Sequence, residues 1–294
     1  MRKSAILSLV FIAVITMLII ISSIIDERNN KINLENYKNA MIKETDVKNM
    51  ENRENITEKL KNPRIGGEGY LRIGVPNVNL PPMIMWDGDN TLTGFEIDLI
   101  AETARRLGVL YEIVPINPGT EQENLENGSI DMAWGNISDT DKKRLTYDLT
   151  EPYINIPQVI VIYDGSGIKE KKDIKNISVI MSTPAESLAD NDKIEIEFKK
   201  MSALKDYKKT FKQLRDGYSD AVICDMTTAV YMQKADKKLN IIDEKAAEVK
   251  YSVAFSFDKD KMRITVDQVL KDMEKSGFLA ELSQKWFEKD YCLK

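Results

Sequence analysis

The sequence predicts an α/β protein built from two successive α/β regions behind an apolar N-terminal segment. Three observations predict it. From about residue 69 onward, alternating apolar strands interleave with amphipathic helices, a pattern that builds mostly parallel sheets. A Gly-x-x-Asp feature opens onto a polar loop twice, at Gly128-Ser129-Ile130-Asp131 and at Gly217-Tyr218-Ser219-Asp220. An uncharged run from Ala5 to Ile25 follows Arg2 and Lys3.

The N-terminal run is longer than the ~7–15 residues of a secretory h-region and fits the ~20 apolar residues that a bilayer-spanning helix needs. It reads as an uncleaved anchor, basic residues inside and the remainder outside. A signal peptide cleaved near Ser22-Ser23 is the alternative. Residues 26–67 are rich in Asn, Lys and Glu, with too little apolar surface for a core, and read as a polar tether ended by Pro63 and Gly66-Gly67.

Gly69 to Val75 alternates as a strand that Pro76 stops, and Asn77 to Pro82 form a loop. Met83 to Trp86 are extended, with a turn at Asp87-Gly88-Asp89-Asn90. Between Gly94 and Gly108, Ile97, Ile100, Ala101, Ala104 and Leu107 share one helical face, with Gly108 as C-cap. Leu110–Val114 is the next strand, Glu121–Asn127 a helix and Ile130–Trp134 a buried strand. That strand breaks at Gly135-Asn136 into a loop dense in hydroxyls, amides and charges, closing on Thr150-Glu151-Pro152-Tyr153. A strand that delivers such a loop to a sheet edge is where α/β proteins place ligands.

Pro157–Tyr163 is a continuous apolar strand, as a buried connection requires. The second region has a strand at Ile177–Met181, a loop Ser182–Glu186, a helix from Ser187 to about Asp190 and a strand at Glu195–Phe198. Tyr207–Arg215 is helical with Phe211 and Leu214 inward, Asp220–Cys224 is a strand, and Asp225 N-caps the next helix. Lys250–Phe257 is a strand, and Met262–Trp286 is mostly helical with a break at Ser276-Gly277.

Composition bounds the chemistry. A chain of 294 residues holds one large domain or two lobes, and a net charge of −5 argues against nucleic-acid binding. There is no histidine, which removes the commonest zinc ligand and the usual near-neutral general base. Binding is favoured over catalysis, and no metal or cofactor is called for. The two cysteines, Cys224 and Cys292, form no CxxC pair; Cys224, inside an apolar run, reads as a buried small hydrophobe.

Several motifs in order carry a resemblance. Gly94-Phe95-Glu96-Ile97-Asp98-Leu99 matches the helix start G-[FY]-[DE]-[ILV]-[DE]-[LIV]. Gly128 to Tyr153 resembles G-x-x-D … T-x-x-R … D-F-S-x-P-Y. Glu186 sits where a second-lobe loop reads S-A-E, and Phe278 to Phe287 resembles a closing K-W-F stretch. From about Glu68 to Phe287 the chain resembles the extracellular solute-binding proteins of polar amino-acid ABC transporters, family 3. The resemblance implies a two-lobe periplasmic-binding-protein-like (type II) fold. Lobe 1 would comprise residues 68–156 and 251–294, and lobe 2 residues 157–250. Hinge crossovers would lie near Tyr153–Pro157 and Val249–Val253.

It also implies a site. The first loop would hold an amino acid's α-carboxylate through Asn136, Ser138 and Thr140. Lys143 stands where the family carries a bidentate arginine, and Arg144 follows one residue later. Either cation could serve, and the basic turn could equally be a solvated face. Ser182, Thr183, Pro184 and Ala185 would complete the clamp from the second lobe, Pro184 without an N–H. Asp225 would accept the ligand's ammonium. Asn77 and Leu80 would line the first-lobe side, Leu80 in place of the family's aromatic, while Trp134 reads as a core residue before a ligand wall.

The implied function is capture of an amino acid or related small zwitterion at the extracytoplasmic face of the cell membrane, for an ABC permease. The partners would be that permease and, through the N-terminal helix, the membrane. A ligand-sensing domain of a signalling system is the alternative. A lyase or transglycosylase on the same fold is a lesser one, since its candidate carboxylates Glu96, Glu151 and Glu186 have helix-start or loop explanations.

Overall fold

A computed structural model describes residues 70–86, 91–190, 194 and 196–293. The expected anchor, the tether and the turn at Asp87–Asn90 lie outside the described residues. Among the described residues no helix is long and apolar enough to cross a membrane.

The chain begins with β1 (Tyr70–Pro76), a short antiparallel pair β2 (Met85–Trp86) and β3 (Leu92–Thr93), α1 (Phe95–Leu107), β4 (Leu110–Ile116) and α2 (Glu121–Glu126). It continues through β5 (Met132–Ala133), α3 (Asp141–Arg144), β6 (Asp148–Leu149) and the long β7 (Ile154–Tyr163). Then come β8 (Asn176–Ile180), α4 (Pro184–Asp190), β9 (Lys200–Leu204), α5 (Tyr207–Arg215), β10 (Ala221–Asp225) and α6 (Met226–Ala235). Strand β11 (Leu239–Tyr251) returns the chain to β12 (Ala254–Phe255), α7 (Asp260–Lys275) and α8 (Phe278–Phe287).

Two five-stranded sheets result, ordered β4-β1-β5-β12-β6 and β11-β7-β10-β8-β9. The first is parallel across β4, β1 and β5 and antiparallel at β12. The chain passes between the sheets in β7 and β11, which pair antiparallel, Tyr251 opposite Ile154 and Val249 opposite Ile156. Strand β7 starts three residues before the expected Pro157. That proline is tolerated because β10 reaches only as far as Gln158, so β7 has one neighbour at Pro157.

Apolar runs in the second sheet are buried on both faces. Val159, Val161, Val222 and Cys224 point to one side, against Phe211, Leu214, Ala229 and Met232. Ile160, Ala221 and Ile223 point to the other, against Ala185 and Ala189 of α4. Cys224 is a buried free thiol, as its apolar neighbours implied. Helix α4 begins at Pro184, earlier than expected, because proline suits the first helical position, where no N–H is needed. The strand expected at Glu195–Phe198 is absent among the described residues there. Ile196 packs into the core from irregular backbone, and β9 pairs with β8 in its place.

Both Gly-x-x-Asp features have the same structural role. Asp131 accepts the Arg72 N–H at 2.8 Å while its own N–H donates to the Arg72 carbonyl at 2.8 Å. Asp220 accepts the Asn176 N–H at 2.8 Å and returns its N–H to the Asn176 carbonyl at 2.7 Å. Each aspartate locks the start of its strand onto the neighbouring parallel strand.

Candidate functional site

The first loop is set by the end of β5 and by the returning β11. Gly135 has φ 90 and Asn136 φ 61, so two successive left-handed residues turn the chain out of the sheet after Trp134. The Ser252 N–H donates to the Ile137 carbonyl at 3.0 Å and the Asp139 N–H to the Lys250 carbonyl at 2.8 Å, fixing the loop to the crossover strand. Thr140 then caps α3, its Oγ1 accepting the Lys143 N–H at 3.2 Å. On the facing loop Ser182 also adopts a left-handed φ of 59, and the Asn136 side-chain amide donates to the Ser182 carbonyl at 2.8 Å.

Between these loops lies a cavity of about 480 Å³, within the ~300–1,000 Å³ range of small-molecule sites. Of the residues expected to bind, it brings together Asn136, Ser138, Thr140, Lys143, Ser182, Thr183 and Pro184. Its walls carry both charge signs: Lys142 and Lys143 against Glu121, Glu186 and Asp190. The Lys143 ammonium stands 5.2 Å from the centre of the Tyr147 ring, a cation–π contact that holds it along the wall.

Other expected residues lie elsewhere. Arg144 does not line the cavity, because Asp139 takes its guanidinium fork with two bonds of 2.7 Å. Asn77 is exposed and its N–H donates to the Ile116 carbonyl at 2.7 Å. Leu80 is buried with Val78 in the apolar cluster of the second sheet, and Thr228 Oγ1 donates to the neighbouring Pro81 carbonyl at 2.8 Å. The loop after β1 thus packs onto the second sheet. Ala185 is fully buried on the inner face of α4. The second loop also spends donors internally: the Ser182 N–H goes to Glu186 at 2.6 Å and the Thr183 hydroxyl to the Ile180 carbonyl at 2.7 Å.

Asp225, at the end of β10, does not line the cavity. It occupies the N-cap position of α6 without a side-chain capping bond, so the simple capping role does not hold. Its carboxylate instead accepts from the Gln158 amide and from the Tyr251 hydroxyl at 2.8 Å. Burial raises its pKa to about 6, and those two hydrogen bonds pull the other way. Gln158 is itself fully buried, and its Oε1 has no hydrogen-bond partner among the described residues.

Sequence reasoning treated Glu96 as a helix-start acid and missed its place. It is fully buried, receiving the Trp134 indole N–H at 3.0 Å and lying 2.8 and 2.9 Å from the Tyr153 hydroxyl. Burial raises its pKa to about 7 against those hydrogen bonds, and the field of Asp225 adds to the rise. A signal was present: Glu96 lies on one helical face with Leu99, Ile100 and Thr103, all buried. Trp134 is a core residue, as expected, with its indole spent on Glu96.

Residues 71–289 match the profile of the bacterial extracellular solute-binding proteins, family 3. The chain belongs to that family. Among its relatives is the L-cystine-binding protein TcyJ of Escherichia coli K12, 25% identical over 232 residues, covering 77% of this chain and 86% of that protein. The arginine-binding extracellular protein ArtP of Bacillus subtilis is 25% identical over 227 residues, covering 75% of this chain and 87% of its own. In fold, a variant of ArgBP from T. maritima aligns with TM-score 0.67 and 26% identity, over 80% of this chain and all of that one. The periplasmic-binding-protein-like α/β fold of the family is thus the fold of this chain.

Proposed function

We propose that this family member captures an amino acid, or a small zwitterion like one, in the cleft between its two sheets and delivers it to an ABC permease. The observation that carries this reading is the cavity of about 480 Å³ lined by two loops that the Asn136–Ser182 bond joins, with hydroxyls and a lysine on one loop and the second loop completing the lining. The names of the relatives support the ligand class, as they bind cystine and arginine. They also favour binding over turnover.

In this reading Lys143, Thr140 and Ser138 hold the carboxylate. Asp225 takes the ammonium with the Gln158 Oε1, a buried acceptor to which an N–H donor would be complementary. The lobes, residues 68–156 with 251–294 and residues 157–250, open and close about β7 and β11. The segment 1–25 holds the protein at the extracytoplasmic face of the membrane.

Calorimetry of the full-length chain against the twenty common amino acids and L-cystine tests the capture reading, and silence across that panel would sink it. The mass of the mature protein distinguishes a retained anchor from a cleaved signal.

A further inference from the structure

Two carboxyls meet the crossover strands, Glu96 fully buried and Asp225 half-buried. Glu96 comes from α1 of the first sheet region, Asp225 from the end of β10 in the second. The strands carry a tyrosine to each: Tyr153, just before β7, reaches Glu96, and Tyr251, at the end of β11, reaches Asp225. The Tyr153 N–H donates to the Tyr251 carbonyl at 3.0 Å, so the two phenols ride on one hydrogen-bonded step.

The groups acting on Glu96 are Tyr153, Trp134 and Asp225; those on Asp225 are Gln158 and Tyr251. Cys224 neighbours Asp225, and Cys292 lies near Tyr153. None of these is a cation. A charged Glu96, fully buried within the field of Asp225 and with no cation among the groups acting on it, is costly, so a proton is the available compensation until a cation arrives.

The geometry accommodates both forms of Glu96. The Tyr153 hydroxyl lies at 2.8 and 2.9 Å from the two carboxyl oxygens. It can donate to a carboxylate, or donate to one oxygen while accepting the O–H of the other.

We propose that Glu96 and Asp225 form a proton-linked pair, in which entry of an ammonium-bearing ligand at Asp225 drives the proton of Glu96 into solvent. The ligand keeps its own protons. One positive charge enters the region as one proton leaves it, and Glu96 becomes a carboxylate that Trp134 and Tyr153 are already placed to solvate. The proposal rests on the amino-acid reading above for the identity of the entering cation. Glu96 does not touch the ligand; it is a positioning residue that sets the charge Asp225 presents.

Two measurements on the full-length chain test it. Infrared spectra of the ligand-free protein should show a protonated-carboxyl C=O stretch that vanishes near pH 7. The band should be absent in E96Q, vanish at lower pH in D225N, and vanish at higher pH in Y153F, which keeps the carboxyl if E96Q fails to fold. Its absence from the native protein, or its survival unchanged in E96Q, overturns the proposal.

L-arginine is then titrated calorimetrically in phosphate and in Tris at about pH 6.5, between the two raised carboxyl values. A heat that depends on the buffer, reporting proton release, is expected, and E96Q should abolish most of that dependence. Binding heat without buffer dependence overturns the linkage alone. No binding heat from L-arginine or any other amino acid overturns the amino-acid reading and the linkage with it, while the infrared band still reports on Glu96.

Discussion

The Tyr153 N–H donates to the Tyr251 carbonyl at 3.0 Å, and the two phenols go from that shared step to separate carboxyls, the buried Glu96 and the half-buried Asp225. The backbone that links the two sheets is therefore also the backbone that solvates both acids. A rearrangement of β7 against β11 would shift both hydrogen bonds together, which ties the conformation of the crossover to the charge of the site.

Stability should fall as pH rises through the neutral range. Glu96 holds its proton up to about 7 in the folded protein but only to an ordinary 4.5 when unfolded, so the folded form binds more protons between those values. Stability contributed by the neutral acid is present below that window and lost across it, by at most ~3 kcal/mol for the shift involved. Asp225, raised from 3.8 to about 6, acts in the same direction. The ligand-free protein should therefore melt at a lower temperature at about pH 8 than at about pH 5. In E96Q the difference should shrink. An equal melting temperature at both would show that neither acid is held neutral.

Gly94 should tolerate no side chain. Its φ is 133, and a Cβ there would run into the Met83 carbonyl oxygen. The close approach is needed because the first amides of α1 donate to that loop: Phe95 N–H to Pro82 and Glu96 N–H to Met83, both at 3.1 Å. Gly94→Ala should cost about 2 kcal/mol or more in denaturant unfolding. A loss under ~0.5 kcal/mol would mean that the loop relaxes freely.

Asp131 and Asp220 should behave alike and apart from the ligand. Asp131 accepts the Arg72 backbone N–H and its guanidinium, and Asp220 accepts the Lys175 and Asn176 backbone N–H groups. Replacing either by alanine should destabilise by ~1–3 kcal/mol, as removal of a charge-assisted bond does. Affinity for any responding amino acid should stay within about twofold, since neither residue lines the cavity. A large loss of affinity without loss of stability would contradict the structural role.

Much of the fold is legible in the sequence because periodicity and capping are local. Tyr207–Arg215 forms the expected helix, with Phe211 and Leu214 buried, and Gly108 ends α1 in the left-handed conformation. The polar loop after Trp134 lies where the Gly135-Asn136 break put it. What sequence did not reveal depends on distant partners. Glu96 looks like any acid in a first turn until Trp134, just after β5, and Tyr153, just before β7, reach it. Arg144 looks as available as Lys143 until Asp139 occupies its fork. Leu80 looks like a pocket residue until the second sheet covers it.

Lys143 is where charge and geometry can be separated. As an ammonium on a flexible stem it offers the carboxylate a point charge, whereas a guanidinium offers two parallel donors. Its backbone is already set: the N–H goes to Thr140 Oγ1, and the side chain runs along Tyr147 at the cavity wall. Lys143→Ala should weaken a responding amino acid by about tenfold or more, the worth of one hydrogen bond to a charged group. Lys143→Arg should tighten it, because a fork at this position meets both carboxylate oxygens, and the gain should persist in high salt, where a bare charge is screened. Calorimetry at low and high salt with both variants reads the two effects apart. If alanine and arginine both leave the affinity unchanged, the carboxylate is held elsewhere and the basic turn is only a solvated face.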